Sequence, residues 1–170
     1  AHLDADEQRE IVEGAQQAFP DDAWPVWCGS NHDIVRFPTR WCAGDEARIR
    51  CALMLLLGLR GTPILYYGDE LGMRTVPGLP SKEGGYGRTG ARTPMHWTRG
   101  KNAGFSNAEP ERLYLPIDPD AHRPTGEDQE KDPASLLHFI RKLASLRRAH
   151  KALEADGELQ LLYAKKRQFP

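Results

Sequence analysis

Apolar and polar positions fall into blocks whose period changes along the chain. Over Asp4 to Ala18, charged positions surround a narrow stripe of Leu3, Ile11, Ala15 and Ala18, which predicts a surface helix. Asp4 with Glu7 three residues on has capping-box spacing, and Phe19-Pro20-Asp21-Asp22 ends the helix. Trp24 to Cys28 is a short apolar run that predicts a buried strand. Ile34 to Gly44 predicts a loop holding Arg36, Pro38 and Arg40. Asp45 then caps a helix over Glu46 to Leu59, where Ile49, Ala52, Leu53, Leu55, Leu56 and Leu57 make a broad buried face. Burying five or six such side chains is worth on the order of 10 kcal/mol before chain entropy is subtracted. Gly61-Thr62-Pro63 breaks that helix, and Ile64 to Tyr67 predicts a second strand that runs into Gly68-Asp69-Glu70. Two parallel strands joined by a crossover helix make a βαβ unit.

From Gly72 to Pro133 the period disappears, and Gly and Pro become dense. A segment of that length is too long for a plain connection and is expected to be functional or partly structured. Within it, Ala121 to Lys131 is polar and expected to be mobile. Asp132-Pro133 opens the next helix, with Pro at its first position, running from Ala134 to about His150. Leu136, Leu137, Ile140, Leu143, Leu146 and Arg147 follow helical spacing, and Arg147, Arg148, His150 and Lys151 suit the dipole at its C-terminus. After Gly157, Leu159 to Tyr163 is strand-like. No internal repeat extends beyond the two strand–helix units.

The 170 residues suffice for one domain with a core. With 23 basic and 24 acidic residues and no basic stripe, nothing points to nucleic acid. No apolar run is long enough to span a bilayer, so no membrane partner is expected. The cysteines, Cys28, Cys42 and Cys51, match no zinc or redox spacing. They are expected to be inert core thiols in a reducing, cytoplasmic compartment. No signal peptide is visible, although the chain is expected to begin within a larger unit.

Candidate chemistry lies where the first strand ends. Asn31, His32 and Asp33 follow Gly29-Ser30 directly. In parallel α/β architectures, working residues gather at the C-terminal ends of strands. Alone the tripeptide is a weak signal, because Asn and Asp after a strand commonly just build turns.

Four motifs in series change that weighting: Gly29-Ser-Asn-His-Asp-Ile-Val-Arg36, Arg60-Gly-Thr-Pro-Ile-Leu-Tyr-Tyr-Gly-Asp-Glu-Leu-Gly-Met73, Arg92-Thr-Pro-Met-His-Trp97 and Asn102-Ala-Gly-Phe-Ser106. In order and spacing they resemble the second half of an α-glucosidase of the α-amylase superfamily, glycoside hydrolase family 13. Asp132-Pro-Ala-Ser-Leu-Leu137 continues the likeness. The resemblance implies an α/β fold, part of a TIM (β/α)8 barrel comprising its last two strands and helices. Trp24 to Cys28 would be the seventh strand, Ile64 to Tyr67 the eighth, and the helices at Asp4 and Ala134 the sixth and eighth. Residues 1–153 would belong to the catalytic barrel, with the long loop 72–133, and 154–170 would start a small C-terminal β domain.

The resemblance also implies a function, a retaining α-glucosidase acting on small oligosaccharides. Asp33 would be the acid that stabilises the sugar cation-like transition state. His32 would hydrogen-bond the glucose, Asn31 would shape the turn, and Arg88 would reach the terminal glucose. Asp69-Glu70 reads as a structural pair holding the loop and neighbouring arginines. Arg92 reads as structural, and Tyr66 and Tyr67 as core with polar tips. Arg36 stays open between loop anchoring and the pocket, as do Trp97 and Phe105 between loop packing and a sugar-facing wall. Two positions depart from the family pattern, Thr89 in place of an acid and His96 in place of Gln. The nucleophilic Asp and acid/base Glu are expected before residue 1, in an upstream half of the barrel that would be this segment's partner. The isolated chain is therefore expected to be inactive and poorly stable. No cofactor or metal is implied. A transglycosylating or isomerising relative such as a trehalose synthase is the runner-up. Non-catalytic transporter ectodomains of the same fold are disfavoured by the intact Asn31-His32-Asp33.

Overall fold

The computed structural model describes residues 4–19, 22–82, 84 and 86–162. Asp4 caps α1 (Ala5–Ala18), its carboxylate accepting from the amides of Asp6 and Glu7. The helix buries Val12, whereas Ile11 is 48% exposed; Leu3 lies outside the described residues. β1 (Val26–Cys28) is shorter than the run that predicts it. Trp24, ahead of it, donates its indole N–H to the Thr62 hydroxyl at 3.0 Å.

The stretch expected as a loop after β1 contains a single-turn helix, α2 (Phe37–Arg40), with Pro38 in its first turn. Proline is preorganised for that position, which explains why a turn forms in a segment with no helical period. Asp45 caps α3 (Glu46–Gly58) through the Arg48 amide. As predicted, Ile49, Ala52, Leu53, Leu56 and Leu57 are buried. Leu55 is the exception: it is exposed, beside a cavity of about 300 Å³ between α1, β1 and α3 that Ala52 and Leu56 also line.

β2 (Thr62–Ile64) starts two residues earlier than expected and pairs with β1 in parallel, Val26 opposite Thr62 and Cys28 opposite Ile64. The βαβ unit is therefore present. Its strands are not buried as predicted: Val26 is 59% and Ile64 49% exposed. Among the described residues each strand has one neighbour, so half of its surroundings are uncovered. For the same reason Cys28 is exposed, and Cys51 lies on the outward side of α3. Only Cys42 is a core thiol, and burial pushes it up to about 11.

The long segment after β2 is structured by short turns, Asp69–Leu71, Tyr86–Arg92, Lys101–Gly104 and Pro110–Arg112. One close approach fixes its course. The Val76 amide donates to the Gly90 carbonyl at 3.1 Å, and a Cβ at Gly90 would sit 1.9 Å from the Val76 oxygen. Only glycine fits there. Ala121 to Lys131 also folds, contrary to expectation, into α4 (Gly126–Lys131) capped by the buried Thr125. Gln129 ties α4 inward, donating to the Leu71 carbonyl and accepting from the Leu137 amide.

The last helix, α5 (Leu136–Ala149), begins after Ser135, which caps it in place of the predicted Asp132-Pro133 start. Leu136 and Ile140 pack on Phe37, Cys42, Ile49, Ala52 and Leu53 as the main core. Arg147 serves a different helix from the one expected. Its guanidinium donates to the carbonyls of Leu57, Leu59 and Gly61, satisfying the C-terminus of α3 and the entry to β2. Residues 159–162 form no strand, and Tyr163 lies outside the described residues. Among the described residues no helix is long and apolar enough to cross a membrane.

Candidate functional site

The chain turns sharply where β1 ends. The Asn31 side-chain oxygen accepts the Asp33 amide at 2.7 Å, a turn that lifts residues 31–33 off the strand. This is the turn-shaping role expected of Asn31. The Asp33 side chain is half exposed, and two arginines converge on its Oδ1: Arg88 Nη1 at 2.8 Å and Arg92 Nη2 at 3.3 Å. Its Oδ2 faces the His32 Nε2 at 3.5 Å. All four predicted site residues, Asn31, His32, Asp33 and Arg88, thus come together, although Arg88 is 55 positions away in the chain.

Arg92, read from the sequence as structural, also reaches the candidate site itself. Its Nε donates to the His32 carbonyl at 2.7 Å while its Nη2 reaches Asp33. The sequence carries one hint, a second arginine four residues after the first on the same short turn, Tyr86–Arg92.

Beneath this turn, Arg36 resolves toward anchoring. It is wholly buried, 3.8 Å from the equally buried Asp69. Its Nη1 donates to the Tyr67 carbonyl at 2.6 Å, and its guanidinium carbon lies 4.6 Å from the ring centroids of both Tyr66 and Tyr67. Ring faces hold the cation where hydrogen-bond acceptors are lacking; among the described residues Nε and Nη2 have none. Burial raises Asp69 from 3.8 to about 6, against the Ser30 hydroxyl and the Arg36 charge, which favour the ionised form. The structural reading of Asp69 holds. Tyr67, expected in the core, is exposed, and only its polar tip behaves as read, the hydroxyl donating to the Thr93 carbonyl at 2.7 Å. Arg36 therefore braces the end of β2 against the turn that follows β1.

Of the two departures, Thr89 is buried and its hydroxyl donates to the Tyr86 carbonyl, so it makes no ion pair with Arg88. His96 is buried with Nδ1 on the Pro124 carbonyl at 3.1 Å, and burial lowers its pKa, keeping the ring neutral. Trp97 and Phe105 remain 54% and 52% exposed.

An ionic turn of this kind at the end of a parallel strand fits polar ligands. Comparison with known proteins narrows the choice. Residues 1–156 match the family described as "Alpha amylase, catalytic domain". The chain is 36% identical over 167 residues to a probable α-glucosidase of Rhizobium meliloti (strain 1021), covering 90% of this chain and 29% of that protein. It is 42% identical over 122 residues to the trehalose synthase/amylase TreS of Mycobacterium tuberculosis (strain CDC 1551 / Oshkosh), covering 69% of this chain and 19% of that protein. Among solved structures, the trehalulose synthase MutB of Pseudomonas mesoacidophila MX-45 superposes with a TM-score of 0.77 at 26% identity, over 89% of this chain and 32% of that one. The chain thus spans about a third or less of the length of these relatives. Its two parallel strands and their helices are part of a (β/α)8 barrel, the fold of these enzymes. By the match over nearly its whole length, this chain belongs to the α-amylase catalytic-domain family of glycoside hydrolases and transglycosylases.

Proposed function

We propose that this segment supplies the transition-state-stabilising side of the active site in a retaining α-glucosidase that releases terminal α-linked glucose from short oligosaccharides. Residues 1–153 would complete the barrel, and 154–170 would lead into a small β domain. The observation that carries the reading is the Asp33 carboxylate at a strand end, with Oδ1 gripped by Arg88 and Arg92 and Oδ2 turned to His32. A carboxylate held this way needs no reorganisation as positive charge develops on a sugar ring. His32, 68% exposed at its side chain, can offer a hydrogen bond to a sugar hydroxyl. Arg88 supplies a planar fork for two more oxygens. The nucleophile and general acid would come from earlier strands of the same barrel.

A second reading, a transglycosylase or isomerase of the same family, is favoured by the relatives named trehalose synthase/amylase and trehalulose synthase. Product analysis of the enzyme that carries this segment separates the two. With maltose, isomaltose and sucrose in turn, a hydrolase accumulates free glucose from the start. An isomerase instead converts maltose to trehalose, or sucrose to a rearranged disaccharide, with little glucose. Failure to cleave or rearrange any of the three would contradict both.

A further inference from the structure

The two arginines on Asp33 are mounted differently. Arg92 lies between Ala91 and Thr93, both 0% exposed, and the Thr93 carbonyl is tied to the Tyr67 hydroxyl at 2.7 Å. Its guanidinium spans two targets, the His32 carbonyl and Asp33 Oδ1. It therefore links the turn after β1 to the end of β2. Arg88 lies farther out on the same loop, two residues from Tyr86, which is 73% exposed, and its Nη2 donates to the Gly84 carbonyl at 2.9 Å. Both use Oδ1, so Oδ2 meets only His32, at 3.5 Å, among the described residues.

We propose that Arg92 is the positioning residue of this site: it fixes the Asp33 carboxylate and the His32 peptide before a sugar arrives, leaving Oδ2 for the sugar and Arg88 to exchange onto it. The proposal rests on the sugar reading of Asp33. A fork is required, because one side chain must hold a backbone oxygen and a carboxylate oxygen together. Lysine supplies the charge on a compact ammonium but not the spaced Nε and Nη2 that reach the two oxygens from separate atoms of one plane.

Steady-state kinetics of Arg92→Ala, Arg92→Lys, Arg88→Ala and Asp33→Asn in the enzyme that carries this segment test the assignment. Arg92→Ala lowers kcat about 100-fold with KM changed little, the expected effect of a misplaced stabilising group. Arg88→Ala raises KM and lowers kcat less than Arg92→Ala does, because it removes a sugar contact while Arg92 still holds the Asp33 carboxylate. Arg92→Lys falls between wild type and Arg92→Ala, and millimolar methylguanidinium restores part of the turnover of Arg92→Ala. If Asp33→Asn abolishes turnover while Arg92→Ala keeps kcat within about twofold of wild type, the positioning role is wrong and the sugar reading stands. If Asp33→Asn leaves kcat intact, the sugar reading falls and this proposal with it. Where Arg92→Ala does not fold, Arg92→Lys decides: wild-type kcat in that variant overturns the need for a fork.

Discussion

Asp33→Asn lowers kcat by about 100- to 1000-fold, the range seen when a preorganised electrostatic partner of a transition state is removed. The substitution keeps the size of the side chain and removes its charge. Stability is not the route of the loss, because the side chain is 48% exposed and contributes nothing to the main core. The amide also presents hydrogens where Arg88 and Arg92 now find a carboxylate oxygen, so the arginines lose their common acceptor if the NH2 group turns toward them. Steady-state kinetics paired with a thermal unfolding scan check the expectation. A variant that unfolds like wild type yet retains kcat within about tenfold would contradict it.

Arg36→Met destabilises the protein by about 3–5 kcal/mol, the cost of leaving one member of a buried ion pair alone. Methionine matches the stem of arginine but cannot answer the Asp69 charge, donate to the Tyr67 carbonyl or bind the two ring faces. The loss depends on pH in a definite direction. Asp69 is raised from 3.8 to about 6, so between those values the folded chain holds a proton that the unfolded chain has released. The contribution of this group to stability is therefore full below the lower value and declines as pH rises through the upper one. Removing Arg36 takes away a charge that favours ionisation, which moves the upper limit higher still. Urea unfolding of both proteins should show a gap that is larger at pH 7.5 than at pH 5. An equal gap at the two pH values would mean that Arg36 does not act through the Asp69 charge.

Elements set by local chemistry were readable from the chain. Asp4 and Asp45 cap α1 and α3, and Asn31 makes the turn that presents Asp33. That Arg88 and Asp33 share a site was implied by the family resemblance, but their direct ion pair was not, since no local pattern joins residues 55 positions apart. What escaped the sequence depends on distant partners. Arg36 lies in a stretch with loop composition, yet its contacts with Tyr67 and Thr75 are 31 and 39 positions away. Arg147 sits among the charges at the end of α5 and looks like a partner for that helix's own dipole, while its acceptors are carbonyls at the end of α3 and before β2. α4 has no apolar stripe to announce it. Its attachment runs through Thr125 and Gln129, polar residues that give no periodic signal. The short strands read as buried because their composition is apolar, but burial is decided by what covers them, and Val26 and Ile64 are half open.

A crystal structure of the enzyme carrying this segment, determined with glucose bound, tests the central claim most directly. The expected result is a pyranose at the ends of β1 and β2, with a ring hydroxyl on Asp33 Oδ2, a second on His32, and Arg92 still on Oδ1. Glucose bound elsewhere, with the Asp33 carboxylate turned out to solvent, would contradict the claim.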